Sequence, residues 1–131
     1  MKDILFLDTS FIINLLRGAL DFKKSEKLLF GKSIMISSLV EYELRLGQSL
    51  KSNSKDSIFN NFINGLIVIP VNSEIVTKAS EIQSRQIKLG KKVPIMDLLI
   101  GTTALLYEAA FITQDNDFEV FRNMGLELIL L

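Results

Sequence analysis

The stretch Ile4-Leu5-Phe6-Leu7-Asp8-Thr9-Ser10 joins four apolar residues to an acid and two hydroxyl residues. A helix-like stretch, 11–16, follows at once. Unbroken apolar character is typical of a parallel strand that is covered on both faces. We therefore predict a buried first strand that ends at Asp8. In open α/β sheets this end of the strands is where ligands bind.

The same alternation of strand and helix continues along the chain. Strands are predicted at Ile4–Leu7, Ile34–Ile36, Leu66–Ile69, Ala110–Thr113 and Leu126–Leu130. Helices are predicted at Ser10–Arg17, Asp21–Leu29, Leu39–Leu50, Asp56–Asn64, Ser73–Leu89, Met96–Ala109 and Asp117–Asn123, with an exposed loop at Lys51–Lys55. This order predicts an α/β fold: a three-layer α/β/α sandwich around a central parallel sheet of about five strands, in one domain spanning residues 1–131.

The composition excludes several classes of protein. The 131 residues contain no histidine and no cysteine, which removes imidazole bases, thiolate sites and disulfides. The apolar runs are far shorter than the roughly 20 residues that a membrane span requires. The N-terminus leads directly into a strand, without the zones of a secretory signal. We expect a cytoplasmic protein with no membrane partner.

The charge balance bears on the partner. Fifteen basic and fifteen acidic residues give a formal net charge of zero, which is not typical of a protein that binds nucleic acid by bulk electrostatics. If four acids are engaged with a metal ion, the remainder is 15 basic against 15 − 4 = 11 acidic residues, or +4. A nucleic-acid partner therefore remains compatible with the composition.

Four acids follow strand-like runs or open helices: Asp8, Glu43, Asp97 and Asp115. At about 100° per residue, Glu43 is predicted in the middle of the apolar face of its helix, between Leu46 and Val40, with Glu41 on the opposite side. An inward carboxylate costs several kcal/mol unless it is paired or binds a cation. Glu43 is therefore expected to need a partner.

Each acid also has a local explanation. A salt bridge would satisfy Glu43, and capping or a turn would account for Asp8, Asp97 and Asp115. The case for chemistry is convergence, because the strands that end at Asp8 and at Thr113 are expected to flank the switch point of the sheet. Clustered carboxylates repel unless a cation holds them. We expect a magnesium site, with manganese as a possible substitute, and phosphodiester hydrolysis as the reaction.

The motifs around these acids resemble the PIN-domain nucleases, in particular the small VapC-type toxin ribonucleases of toxin–antitoxin pairs. The resemblance runs the whole length of the chain. The matching segments are Leu7-Asp8-Thr9-Ser10, Ser37 through Leu44 with its Glu43-Leu44 pair, Asp97-Leu98-Leu99-Ile100, and Thr113-Gln114-Asp115-Asn116-Asp117-Phe118. Two departures are Ile95, where many relatives carry another acid, and Gln114, where asparagine is usual.

The resemblance implies a metal-dependent endoribonuclease, an RNA substrate, a homodimer and a cognate antitoxin that covers the cleft. It implies that Asp8 and Asp97 are the principal magnesium ligands, that Glu43 and Asp115 complete the site, and that Asp117 is an outer member. Thr9 and Thr113 would lie near the metal. Basic candidates for the RNA backbone are Arg17, Lys51, Lys55, Arg85, Lys88, Lys91 and Lys92.

The sequence leaves three other functions open. The first is a PIN nuclease for RNA processing or decay without a toxin role. The second is a phosphatase or phosphoryl-acceptor domain, which would want another acid beside Asp8, where the chain has Thr9 and Ser10. The third is a non-catalytic PIN-like scaffold that keeps the acids for folding.

Overall fold

The fold is built on a five-stranded, fully parallel sheet. The structure, a computed structural model, describes residues 2–18, 22–51 and 57–131. The strands are β1 (Ile4–Leu7), β2 (Ser33–Ser37), β3 (Ile67–Ile69), β4 (Ala110–Thr113) and β5 (Glu127–Leu130). They lie in the order β3-β2-β1-β4-β5, and every pairing is parallel.

Seven α-helices are assigned in the described part of the chain, and they connect these strands. They are α1 (Thr9–Leu16), α2 (Phe22–Leu29), α3 (Ser38–Ser49), α4 (Ser57–Asn64), α5 (Ser73–Lys88), α6 (Ile95–Leu106) and α7 (Glu119–Arg122). A short 3₁₀ helix, Asn116–Phe118, precedes α7. Parallel strands joined through helices form the α/β sandwich that the sequence predicts.

The order in which strands are added to the sheet reverses at β1. The chain moves outward from β1 to β2 and β3, then returns through α5 and α6 to place β4 on the other side of β1. The β1–β4 register pairs Leu5 with Ala110 and Leu7 with Ile112. This is the switch point where α/β sheets open a crevice at the carboxyl ends of their strands.

The core lies on the sheet and is rich in phenylalanine. Phe6 and Phe111 on neighbouring strands are fully buried, and the Phe111 and Phe118 ring centroids lie 4.6 Å apart. Gly101 of α6 faces the ring of Phe121, so close that a Cβ at position 101 would overlap it. The small residue is thus required by the close approach of helix α7, which carries Phe121. No helix in the described part of the chain is both long and apolar enough to cross a membrane.

Two predicted helices differ from the observed ones by more than one residue at an end. The helix expected to reach Ala109 ends at Leu106, because Glu108 adopts a left-handed φ of 53° and the Ala109 N–H turns back to the Ala104 carbonyl. The helix expected over Asp117–Asn123 is divided between the 3₁₀ turn and α7. The predicted helix starts at Asp21 and Asp56, and loop residues 52–55, lie outside the described residues.

Candidate metal centre at the switch point

Asp8 is the most enclosed acid at the sheet edge, with only 6% of its surface exposed. One carboxylate oxygen, Oδ1, accepts a 2.8 Å hydrogen bond from the Thr9 N–H and thereby caps α1. The other, Oδ2, accepts from the hydroxyls of Thr113 at 2.7 Å and Ser10 at 3.2 Å. The capping role weighed for Asp8 is therefore real, and it coexists with a position at the switch point.

The segment after β4 is organised by side-chain hydrogen bonds. The Thr113 hydroxyl accepts from the Asp115 N–H at 2.9 Å while it donates to Asp8. Asp115 in turn accepts a 2.9 Å hydrogen bond from the Asp117 N–H at its Oδ1. This turn carries both Asp115 and Asp117 to the same edge of the sheet as Asp8.

Three acids come close enough to share one cation. One carboxylate oxygen from each of Asp97, Asp115 and Asp117 lies within 4.8 Å of the other two. Asp97 stands in the first turn of α6, whose N-cap residue Pro94 provides no side-chain cap. Asp97 does not cap the helix, although its position at the positive end of the helix dipole fits the first-turn alternative.

The close group of three carboxylates differs in composition from the principal ligand pair, Asp8 and Asp97, that the resemblance implies. Asp117, expected as an outer member, belongs to the close group, whereas Asp8 and Glu43 stand outside it. The reason is local: the Asp115 carboxylate holds the Asp117 backbone, while the Asp8 carboxylate is turned toward the hydroxyls of Thr113 and Ser10.

The predicted face of α3 is wrong. Its buried residues are Val40, Leu44 and Gln48, whereas Leu46 is 45% exposed and Leu50 is 79% exposed. The buried face is thus centred on Leu44, and Glu43 lies at one edge of it rather than in the middle. The leucine pattern misled the prediction because exposed leucines at a helix surface carry no information about the core.

The partners of the two glutamates on α3 separate their roles. Glu43 Oε1 accepts a 2.9 Å hydrogen bond from the Thr9 hydroxyl of α1. Glu41, itself half-buried, forms an ion pair with Arg45 at 3.0 Å. The salt bridge weighed for Glu43 is not present among the described residues, and Glu41 is the residue that has one.

The carboxylates of the site repel one another through their negative charges. The pKa of Asp97 is raised to about 6, first by burial and then by the charges of Asp115, Asp8, Asp117 and Glu43. The pKa of Asp8 is also raised, by burial first, against the lowering effect of its hydrogen bonds. None of the three ion pairs between described residues involves these five acids.

The donor set fits a hard divalent cation. Only carboxylate and hydroxyl oxygens are available, because the chain has no histidine or cysteine. The repulsion that raises the pKa of Asp97 is the force that a bound cation would relieve. The residues present are therefore compatible with magnesium or manganese.

Two supporting residues were not singled out as site residues from the sequence. Ser10 stands where the related motif commonly has asparagine, and its hydroxyl supports Asp8. Asn14 of α1 donates a hydrogen bond to Gln114, which ties α1 to the segment that carries Asp115. Asn14 lies one helical turn after Ser10, and this spacing indicates that it is on the same side of α1. Its partner Gln114, 100 residues further along the chain, could not be deduced from the spacing.

Comparisons with known proteins agree with this architecture. The PIN domain model matches residues 5–123. Among solved structures, the chain is similar to VapBC2 from Rickettsia felis bound to a promoter DNA fragment, at 24% identity, a TM-score of 0.83 and 98% coverage of both chains. It is also similar to VapBC-1 from nontypeable Haemophilus influenzae, at 25% identity, a TM-score of 0.79 and 97% coverage of both chains.

A third similar structure is VapBC-5 from Mycobacterium tuberculosis, a member of the VapBC family of toxin–antitoxin systems, at 20% identity and a TM-score of 0.72. The match covers 99% of this chain and 100% of that one. Comparison with curated protein sequences found no match. Because the family model spans nearly the whole sheet and all five acids, the chain belongs to the PIN domain family.

Proposed function

We propose that this protein is a magnesium-dependent endoribonuclease and the toxin of a type II toxin–antitoxin pair. Membership of the PIN family supports nuclease activity in general. The likeness to VapBC structures supports the toxin role and an antitoxin partner. Magnesium dependence, the RNA substrate and a cytoplasmic, homodimeric state are the finer parts of the proposal.

The observation that carries the proposal is the set of five interacting acids at the switch point, none of which forms an ion pair with a described residue. Such a cluster is costly for the fold, as the raised pKa of Asp97 indicates. A role in phosphodiester hydrolysis would account for acids that destabilise the fold. A divalent cation held by them could bind the anionic backbone of a nucleic acid.

Each acid has a separate part in the proposed site. Asp97, Asp115 and Asp117 would hold the cation, because their oxygens already lie within 4.8 Å of one another. Such a cation supplies Lewis-acid stabilisation of the charge that develops on the phosphate oxygens. Asp8, fixed by Thr113 and Ser10, would complete the site from the β1 side.

Glu43 is the proposed proton acceptor. Its Oε1 is held by the Thr9 hydroxyl, and this leaves Oε2 to orient the water that attacks phosphorus. Attack would form a bond from the water oxygen to phosphorus, pass the water proton to Glu43 and break the bond from phosphorus to the leaving oxygen. The leaving oxygen would take a proton from solvent, so that one phosphate end and one hydroxyl end result. Thr9 and Thr113 act by orienting carboxylates and do not themselves react.

The test is cleavage of total cellular RNA by purified wild type, Asp8→Asn and Asp97→Asn, each with Mg²⁺, Mn²⁺ or a chelator. Glu41→Gln is the matched control, because Glu41 is an acid of α3 whose partner is Arg45. We expect discrete fragments from wild type and Glu41→Gln only, and only with metal.

Other outcomes identify the alternatives. Cleavage by both aspartate variants would refute the metal centre. Absence of cleavage by all four proteins, together with unchanged stability in the variants, would favour a scaffold. Metal-dependent cleavage without growth arrest on expression in cells would indicate a PIN nuclease without a toxin role.

A further inference from the structure

A cavity of about 230 Å³ opens between α1, α3 and α4, beside the acids but outside the close group that would hold the cation. It is mostly apolar, and one of its walls is Glu43. Its lining also includes Ile13, Leu16, Arg17, Gly47, Gln48 and Lys51. Its volume is below the roughly 300 Å³ at which pockets for drug-sized ligands begin, so it suits a single ring system.

Gly47 is the feature of this cavity that local structure does not explain. It lies inside α3, where glycine costs about 1 kcal/mol relative to alanine. A Cβ at position 47 would meet no atom within 4 Å, and the backbone there is ordinary helix, without the positive φ that favours glycine. Neither packing nor conformation requires glycine, but a side chain there would extend into the cavity.

Gln48 gives the cavity wall a polar element. Its side chain is 8% exposed, and no hydrogen bond joins its amide to any other residue in the described ranges. An amide offers both a donor and an acceptor, the pair that reads the edge of a nucleobase.

The cavity shares Glu43 with the candidate site, and two basic residues are among its lining. Gly47 is one helical turn from Glu43, about 6 Å along α3, and Lys51 follows just after the C-cap residue Leu50 of that helix. Both basic residues of the lining are exposed. Arg17 is at the end of α1, and Lys51 follows the end of α3. Both can offer positive charge to the phosphate of a ligand in the cavity.

We propose that this cavity binds one unstacked nucleobase of the RNA, next to the phosphate that is cleaved. The inference rests on the proposed ribonuclease function and adds a base-recognition site to it. Ile13, Leu16 and Phe59 supply apolar contact, as in other sites where bases are splayed out of a single strand. The two basic lining residues favour a phosphate-bearing ligand over a cationic peptide.

The test measures RNA binding without turnover, in an Asp8→Asn background with Mg²⁺. Fluorescence anisotropy would compare labelled single-stranded RNA octamers of each base composition with octamers that contain abasic positions, and gels would verify that the RNA stays intact. The variants are Gly47→Leu, which fills the cavity, and Ser49→Leu, which adds the same side chain to an exposed position of α3 outside it.

We expect at least one base composition to bind more tightly than the abasic octamer, by about 5- to 150-fold for one stacked base. Gly47→Leu should remove this difference, and Ser49→Leu should retain it. Gln48→Met, which keeps the side-chain size, should reduce the preference among bases. This third variant keeps the test decisive if circular dichroism shows that Gly47→Leu is unfolded.

Three results would overturn the inference. They are equal binding of base-containing and abasic RNA, an unchanged base preference in both cavity variants, or loss of antitoxin binding rather than RNA binding in Gly47→Leu. The last would assign the cavity to a protein partner. In each case metal-dependent cleavage by the active protein would still stand, so failure of the cavity and failure of the nuclease are distinguishable.

Discussion

The Thr113 hydroxyl joins Asp8 to Asp115: it donates to Asp8 Oδ2 at 2.7 Å and accepts from the Asp115 N–H at 2.9 Å. The two acids stand on segments separated by more than a hundred residues. One fully buried oxygen therefore sets the relative position of the β1 acid and the β4 acid.

Replacing this hydroxyl by a methyl group tests that role. Thr113→Val keeps the shape but leaves the Asp115 N–H without its acceptor, so we expect the free energy of unfolding to fall by about 1–3 kcal/mol. RNA cleavage should fall with it, whereas Thr113→Ser should recover most of both. Urea denaturation and cleavage rates measure the two effects. A valine variant with the wild-type rate would contradict the positioning role.

Removing one charge from the acid cluster should stabilise the metal-free protein. We expect Asp97→Asn to raise the free energy of unfolding in chelator at pH 7 by about 1 kcal/mol, after allowance for the screening of a half-exposed group. Activity should be lost at the same time. A variant that is both less stable and inactive would instead assign Asp97 a structural role.

The raised pKa of Asp97 predicts how stability depends on pH. The folded state has a pKa of about 6 and the unfolded state one near 3.8, so the folded protein binds more protons between these values. The unfavourable contribution of Asp97 is therefore present above pH 6 and is relieved as the pH falls from 6 toward 4. The difference in stability between wild type and Asp97→Asn in chelator should shrink over that window. A difference that is constant with pH would contradict the assignment.

Divalent metal should stabilise the fold by binding. We expect Mg²⁺ or Mn²⁺ to raise the melting temperature of wild type progressively with concentration, because only the folded state assembles the acids. The increase should disappear in Asp97→Asn and persist in Glu41→Gln. An equal increase in all three proteins would indicate nonspecific ionic effects.

The two glutamates of α3 should differ in function despite their proximity. Glu43→Gln is expected to lower RNA cleavage by about 10²-fold or more, since it weakens the proposed proton acceptor. Glu41→Gln breaks a surface ion pair with Arg45, worth about 0.3–0.5 kcal/mol, and should leave cleavage unchanged. Equal activity of the two variants would refute the assignment of Glu43.

Two alanine substitutions should have opposite effects on stability. Gly101→Ala forces a methyl group into the Phe121 ring and should cost about 1–3 kcal/mol. Gly47→Ala, also inside a helix but facing open space, should stabilise by about 0.5–1 kcal/mol. Thermal unfolding of the pair measures the difference, and similar effects in both would contradict the packing described for α6.

The fold was predictable because its signals are local. Apolar runs such as Ile4–Leu7 mark buried parallel strands, and the position of Asp8 after such a run predicted which edge of the sheet carries the site. The end of α6 was not predictable in this way. The backbone turns at Glu108, a residue type that rarely adopts a positive φ, so the sequence there continues to favour helix.

The sequence indicates which acids lie near the switch point, and it is less informative about their geometry. Order along the chain could indicate that Asp97 and Asp115 converge, but the inclusion of Asp117 in the close group depends on a hydrogen bond within the turn. The orientation of α3 was missed because Leu46 and Leu50 are exposed, while the polar Gln48 occupies the buried face. A hydrophobicity pattern alone does not reveal that a polar residue is buried while neighbouring leucines are exposed.

The separation between Asp8 and Asp117 along the chain has a consequence during synthesis. β1 is central in the sheet, yet its neighbour β4 and the turn that bears Asp115 and Asp117 are made only after more than a hundred further residues. A nascent chain on the ribosome thus holds its first acid long before it can assemble the full group of acids. If the protein is the ribonuclease proposed above, its nascent chain is expected to be inactive toward ribosomal RNA until synthesis has passed the last acid.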